Sequence, residues 1–211
     1  MSTSTQKQRN DASPSKDSDK STVDPNEING NMEPIRIKLL TLGSVKVGKS
    51  CFVKKYCEKN RFASSYIPTI GVDYGVKAVT KDTDDMSSLS IKIDFFDLSG
   101  DPNYRDVRNE FYKDVDGLVL MYDVTEKTSF EALPSWLVEA RKFGVWSSNT
   151  TLVVVGNKID QYPRVITEQE GTAFAAENNA AYFETSAKSG ASVDDVFDYM
   201  LRETCKNGYY K

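Results

Sequence analysis

The octapeptide Gly43-Ser44-Val45-Lys46-Val47-Gly48-Lys49-Ser50 stands between an apolar run, Ile35 to Leu42, and the helix-like stretch Cys51-Phe52-Val53-Lys54-Lys55-Tyr56. A strand that turns through a glycine loop into a helix confines the chain to layered α/β folds, because such a loop works only where strand end meets helix start. The glycines let backbone N–H groups turn inward on an anion, the helix N-terminus adds the positive end of its dipole, and Lys49 brings a point charge to the outer phosphates. This predicts a nucleoside triphosphate site in which Ser44, Val45, Lys46, Val47, Gly48, Lys49, Ser50 and Cys51 surround the phosphates. A chance match to a lysine-containing turn is the alternative, and the flanking strand and helix weigh against it.

With 211 residues the chain suffices for one α/β domain and a tail. Its net charge of −4 offers no overall attraction to nucleic acid. The three cysteines, Cys51, Cys57 and Cys205, are too few and too irregularly spaced for a disulfide framework or a zinc site, which suits a reducing compartment. No apolar stretch nears the about 20 residues that cross a bilayer, and the N-terminus is too polar for a secretory signal, so a soluble intracellular protein is expected. Residues 1–33 are mostly polar, with Val23 and Ile28 almost the only large aliphatics, and are predicted to be disordered; 34–206 form the domain and 207–211 a short tail.

Hydropathy patterning places strands near 35–42, 73–80, 90–97, 117–123, 151–156 and 181–184, and helices near 49–59, 104–114, 129–143, 167–178 and 192–205. The runs Gly117–Tyr122 and Thr151–Gly156 are almost continuously apolar, as central parallel strands should be. The polar stretch 81–88 between two alternating strands predicts an antiparallel hairpin at one edge. The fold class is therefore α/β, of the P-loop NTPase kind, with a doubly wound, mostly parallel sheet of six strands, one antiparallel edge strand and five helices.

Base choice falls to Asn157-Lys158-Ile159-Asp160, at the carboxyl end of an apolar strand where such sheets bind ligands. The Asp160 carboxylate can accept from the ring N–H and exocyclic amine of guanine, whereas adenine lacks both donors. Asn157 is expected to tie this loop to the phosphate loop, and the Lys158 stem to cover one face of the base. In Glu184-Thr185-Ser186-Ala187-Lys188, the last three residues are expected near the base, with a backbone N–H for the guanine oxygen. Taken alone, the Asn157–Asp160 pattern would also fit a plain polar turn.

The stretch Asp97-Leu98-Ser99-Gly100-Asp101 follows another apolar strand, placing Asp97 to hold a magnesium-bound water and Gly100 to donate its N–H to the third phosphate. Magnesium takes few protein oxygens, so Ser50, Thr69 and Asp97 form a sufficient set. Thr69 lies in a segment, residues 62–71, expected to close over the nucleotide when the third phosphate is present. Phe62 and Tyr66 are counted among the nucleotide contacts; a core aromatic is the other reading of Phe62, and a turn residue that of Thr69.

In this order, the glycine loop, Thr69-Ile70-Gly71, Asp97–Gly100, Asn157–Asp160 and Glu184–Lys188 resemble a small GTPase of the Ras superfamily, nearest the Rab branch, over residues 34 to about 205. The stretches Tyr56–Lys59, Ile70–Lys77 and Val107–Asp114 resemble the Rab-like GTPases linked to a J domain. A J domain needs a His-Pro-Asp loop and this chain has no histidine, so no chaperone-recruiting role is carried over. The resemblance implies GTP or GDP and Mg2+ as ligands, protein effectors and an exchange factor as partners, and a monomer. It also implies residence in the cytosol, with basal body or nucleus as alternatives. Rab proteins usually end in prenylated cysteines, but Cys205 is not in a prenylation frame, so no stable membrane anchor is expected.

Two departures bear on hydrolysis, for which Lys49, Thr69, Gly100 and Asp101 are the catalytic candidates. Asp101 occupies the place where active relatives carry glutamine; a carboxylate accepts from a water but cannot donate toward the transition state. Val45 replaces a small residue and would crowd out an arginine finger. The expectation is a magnesium-dependent guanine-nucleotide switch with weak GTPase activity, whose GTP state recruits effectors through Ile70, Val72, Tyr74, Tyr104, Val107 and Phe111. The alternatives are a hydrolysis-deficient GTP-bound scaffold and, less compatible with Asp160, a P-loop kinase or ATPase.

Overall fold

The computed structural model describes residues 33–59, 67–82, 88–145 and 149–208. The predicted disordered extension, Glu33 excepted, the site candidates Phe62 and Tyr66, and the turn of the predicted hairpin lie outside the described residues. Strand β1 (Ile35–Leu42) leads into α1 (Lys49–Glu58); β2 (Val72–Asp82) and β3 (Ser88–Leu98) follow, then a 3-10 turn (Pro102–Tyr104) and α2 (Arg105–Asn109). The chain continues through β4 (Gly117–Asp123), α3 (Lys127–Glu131), α4 (Leu133–Lys142), β5 (Thr151–Asn157), α5 (Glu168–Glu177), β6 (Ala181–Thr185) and α6 (Val193–Gly208).

The six strands form one sheet in the order β2-β3-β1-β4-β5-β6. All neighbours run parallel except β2, an edge strand antiparallel to β3 with Val72 opposite Leu98 and Asp82 opposite Ser88. Side chains alternate across the strands, so β4 and β5 are buried on both faces. Val119, Met121, Val153 and Val155 pack with Phe52, Phe197 and Met200 of α1 and α6; Leu118, Leu120, Leu152 and Val154 pack with Trp136 and Leu137 of α4. Phe197 stacks on Phe52 at 4.8 Å and on Tyr56 at 4.0 Å, joining α6 to α1.

All five predicted helical regions are present, two of them altered. The helix predicted over 104–114 is a 3-10 turn and the short α2, which ends at Asn109. Beyond it Tyr112 is buried with its hydroxyl on Glu139, and Phe111 lies against Phe96, contacts that redirect the chain. The helix predicted over 129–143 breaks at Ala132 because Pro134, early in α4, supplies no N–H and crowds the carbonyl one turn back. At the other extreme α6 runs on to Gly208, into the predicted tail. Among the described residues no helix is long and apolar enough to cross a membrane.

Candidate nucleotide-binding site

Four candidate loops leave the carboxyl end of a strand, the glycine loop after β1, Ser99 after β3, Lys158 after β5 and Ser186 after β6, while the Thr69 segment leads into the antiparallel β2. In the glycine loop the backbone adopts the left-handed region at Lys46 (φ 66°) and Gly48 (φ 103°), which turns successive N–H groups to one side. A Cβ on Gly48 would stand 2.3 Å from Asn157 Nδ2, so only glycine fits there. Lys49 Nζ lies across the loop, donating to the carbonyls of Gly43 at 2.7 Å and Ser44 at 2.8 Å. Burial lowers the Lys49 ammonium from its ordinary 10.5 to about 8, with the Asp97 charge opposing the shift. Val45 is exposed at the loop's outer edge, and Cys51 is half-buried at the start of α1 with its thiol pushed up by burial.

Asp97 gathers the hydroxyls. Its Oδ1 accepts from Thr41 Oγ1 at 2.7 Å, and its Oδ2 accepts from Ser50 Oγ in a very short bond and from Thr69 Oγ1 at 3.5 Å. Ser50 Oγ and Thr69 Oγ1 are 2.9 Å apart. Burial raises the Asp97 carboxyl, against the bond from Ser50 and the charge of Lys49. A carboxylate with two alcohol oxygens is a hard-oxygen set that fits Mg2+. Among the described residues no group of three or more His, Cys, Asp or Glu could hold a metal ion.

At the other end Asn157 joins three segments. Its Nδ2 donates to the Val47 carbonyl at 2.8 Å, while Oδ1 accepts from Thr185 Oγ1 and from the Ala187 N–H, each at 3.0 Å. The backbone N–H of Ala187 thus already has a partner in Asn157. Ser186 Oγ donates to Asp160 Oδ1 at 2.7 Å, leaving the other carboxylate oxygen outside this bond. Lys158, in the left-handed region at φ 70°, pairs with Asp123 at 2.6 Å, and Lys188 is exposed.

Gly100 packs on the phosphate loop itself: a Cβ there would lie 2.5 Å from each of Gly43 O, Ser44 C and Val45 N. The Ser99 N–H donates to the Gly71 carbonyl at 2.9 Å, linking the Thr69 segment to the Gly100 segment. The Asp101 carboxylate is engaged locally: Oδ1 caps the 3-10 turn by accepting from the Asn103 N–H at 2.8 Å.

Residues 38–206 match the Ras family. The chain belongs to the Ras family. It is 44% identical over 184 residues to DnaJ homolog subfamily C member 27 of Rattus norvegicus, a match over 84% of this chain and 65% of that protein. The Homo sapiens protein of the same name is 42% identical over 181 residues, 82% of this chain and 64% of the relative. The chain therefore spans somewhat less than two thirds of the length of the curated relatives it matches. These relatives agree with the resemblance to J-domain-linked Rab-like GTPases, and membership carries with it a guanine-nucleotide-binding domain of the small-GTPase type.

Within this Ras-family chain three site neighbours escaped sequence reasoning. Asp123 ends β4 directly opposite Asn157, and an acidic residue closing an apolar strand was the available signal. Arg108 and Glu139 form a buried pair, Nε to Oε1 at 2.9 Å and Nη2 to Oε2 at 3.2 Å, that supports the Gly100 segment from below. Their separation of 31 residues left no local pattern to read.

Proposed function

We propose that this chain is a guanine-nucleotide switch that binds GTP with Mg2+, hydrolyses it slowly and recruits protein effectors while GTP is bound. The observation that carries this reading is the convergence of Ser50, Thr69 and Asp97 beside the buried Lys49. Thr69 belongs to the segment that precedes β2, so an oxygen set shared with Ser50 gives that segment a reason to order around a nucleotide. Lys49 and the loop N–H groups would hold the phosphates, Gly100 N–H the third of them, and Asp160 the base edge. Bound Mg2+ supplies neutralisation of the phosphate charge.

Slow hydrolysis follows from Asp101. Its carboxylate is engaged with the Asn103 N–H and, being an acceptor only, has no proton to donate to a developing phosphate charge. Effector contact falls to Ile70, Tyr74 and Val107, which are exposed, with the more buried Val72, Tyr104 and Phe111 behind them. A cytosolic monomer served by an exchange factor completes the proposal.

A second reading, a largely GTP-locked scaffold, is favoured by one feature: Arg108 Nη1 binds the carbonyls on either side of Gly100 and restrains that segment. Calorimetry with GDP, a non-hydrolysable GTP analogue and ATP tests the nucleotide choice; equal affinity for ATP would refute it. Single-turnover hydrolysis of preloaded GTP then separates switch from scaffold, a rate indistinguishable from spontaneous hydrolysis favouring the scaffold.

A further inference from the structure

Arg108 is the bulkiest of the fully buried side chains, a guanidinium at 2% exposure in a domain whose other large buried groups are mostly apolar. A buried charge persists only when its hydrogen-bonding capacity is met. Here Nε and Nη2 face Glu139, whose Oε1 also accepts from Tyr112 at 2.6 Å, and the guanidinium lies over Trp136 at 4.8 Å. Burial by itself would raise the Glu139 carboxyl, yet the bonds from Arg108 and Tyr112 outweigh it and hold the group below its ordinary value. The remaining donor, Nη1, reaches the carbonyls of Ser99 at 3.0 Å and Asp101 at 2.7 Å.

Those two carbonyls flank Gly100. The Ser99 carbonyl and the Gly100 N–H belong to one planar trans peptide and point in opposite directions. Anchoring the carbonyl on Arg108 therefore sets the direction of the Gly100 N–H, while Gly100 itself is pressed against Gly43, Ser44 and Val45 of the phosphate loop. We propose that Arg108, braced by Glu139 on α4, is a positioning residue for the third phosphate. It presets the Ser99–Gly100 peptide, so that the preference for GTP over GDP depends on a guanidinium that touches neither nucleotide. Lysine cannot substitute, since one ammonium does not span a carboxylate and two diverging carbonyls as a planar fork does.

This inference rests on the guanine-nucleotide reading above. The test measures dissociation constants of the full chain and of Arg108→Lys for GDP and for a non-hydrolysable GTP analogue, both with Mg2+. The expected result is a fall of about tenfold in the analogue-over-GDP preference, the worth of one charge-assisted hydrogen bond, with GDP affinity kept within about twofold. A merely structural role would weaken both nucleotides alike, and that outcome, or an unchanged preference, overturns the proposal. Should Arg108→Lys fail to fold, Glu139→Gln keeps the side-chain shape and weakens only the brace; a fall in preference of about threefold supports the proposal and none overturns it. An unmodified chain that binds no guanine nucleotide refutes the proposed function itself, a result distinct from an unmoved preference.

Discussion

The side-chain amide of Asn157 bonds the Val47 carbonyl across 110 residues of sequence, and the same side chain receives Thr185 and Ala187 on its oxygen. One residue at the end of β5 thereby holds the phosphate loop and the loop after β6 in a fixed relation. A ligand contacting both ends would meet a site already assembled.

Asn157→Ala should destabilise the fold by about 2–4 kcal/mol, because it leaves a buried carbonyl, hydroxyl and N–H without their partner. Asn157→Asp should be no milder, since a carboxylate cannot donate to the Val47 carbonyl. Urea denaturation of both variants checks this, and a loss below about 1 kcal/mol would contradict the joining role.

The depressed Glu139 carboxyl makes a pH prediction. A group with a folded-state value below the unfolded one contributes stability that is present above the unfolded value and lost as pH falls through the folded value. The window therefore lies below the ordinary 4.5 of glutamate. The stability gap between the unmodified chain and Glu139→Gln should be full at pH 7 and shrink as pH drops below that value, where both side chains are neutral. Denaturant titrations at pH 7, 5, 4 and 3 measure it; a gap that does not move with pH would rule out an ionised Glu139 brace.

Asp101→Gln restores a side chain that both accepts and donates. Single-turnover GTP hydrolysis should accelerate by about tenfold, within the range one positioned hydrogen bond contributes. The substitution also removes the cap on the Asn103 N–H, for a stability loss of about 0.5–1 kcal/mol. No acceleration would move the cause of slow turnover to Val45 or to the restraint from Arg108.

Gly171 in α5 tests the packing of α5 on β6. Glycine to alanine in a helix interior ordinarily stabilises by about 0.5–1 kcal/mol. Here a Cβ would lie 2.4 Å from the Tyr182 hydroxyl and 2.5 Å from that of Tyr122, two groups bonded to each other at 2.9 Å. Gly171→Ala should therefore destabilise, by about 1–3 kcal/mol as overpacking does, and thermal unfolding reads the sign.

Sequence reading worked best where a signal is local. The strand, glycine loop and helix around Gly43–Ser50, the apolar runs of β4 and β5, and the antiparallel edge pairing of β2 with β3 were all legible from period and local composition. It failed where a long-range contact overruled propensity: the chain after Asn109 leaves the helix to bury Tyr112 on Glu139. Asp101-Pro102-Asn103 is a local turn signal, and the Asp101 side chain caps the 3-10 turn that it starts.

The residue order by itself determined the α/β class, the phosphate loop and the family, since each depends on neighbours a few positions apart or on motifs in series. Only the tertiary structure decided that Thr41 also donates to Asp97, that Lys158 pairs with Asp123, and that Arg108 braces the peptide before Gly100. Such pairings join side chains far apart in sequence. Their geometry follows from how the strands register and the helices pack, which local patterns do not encode.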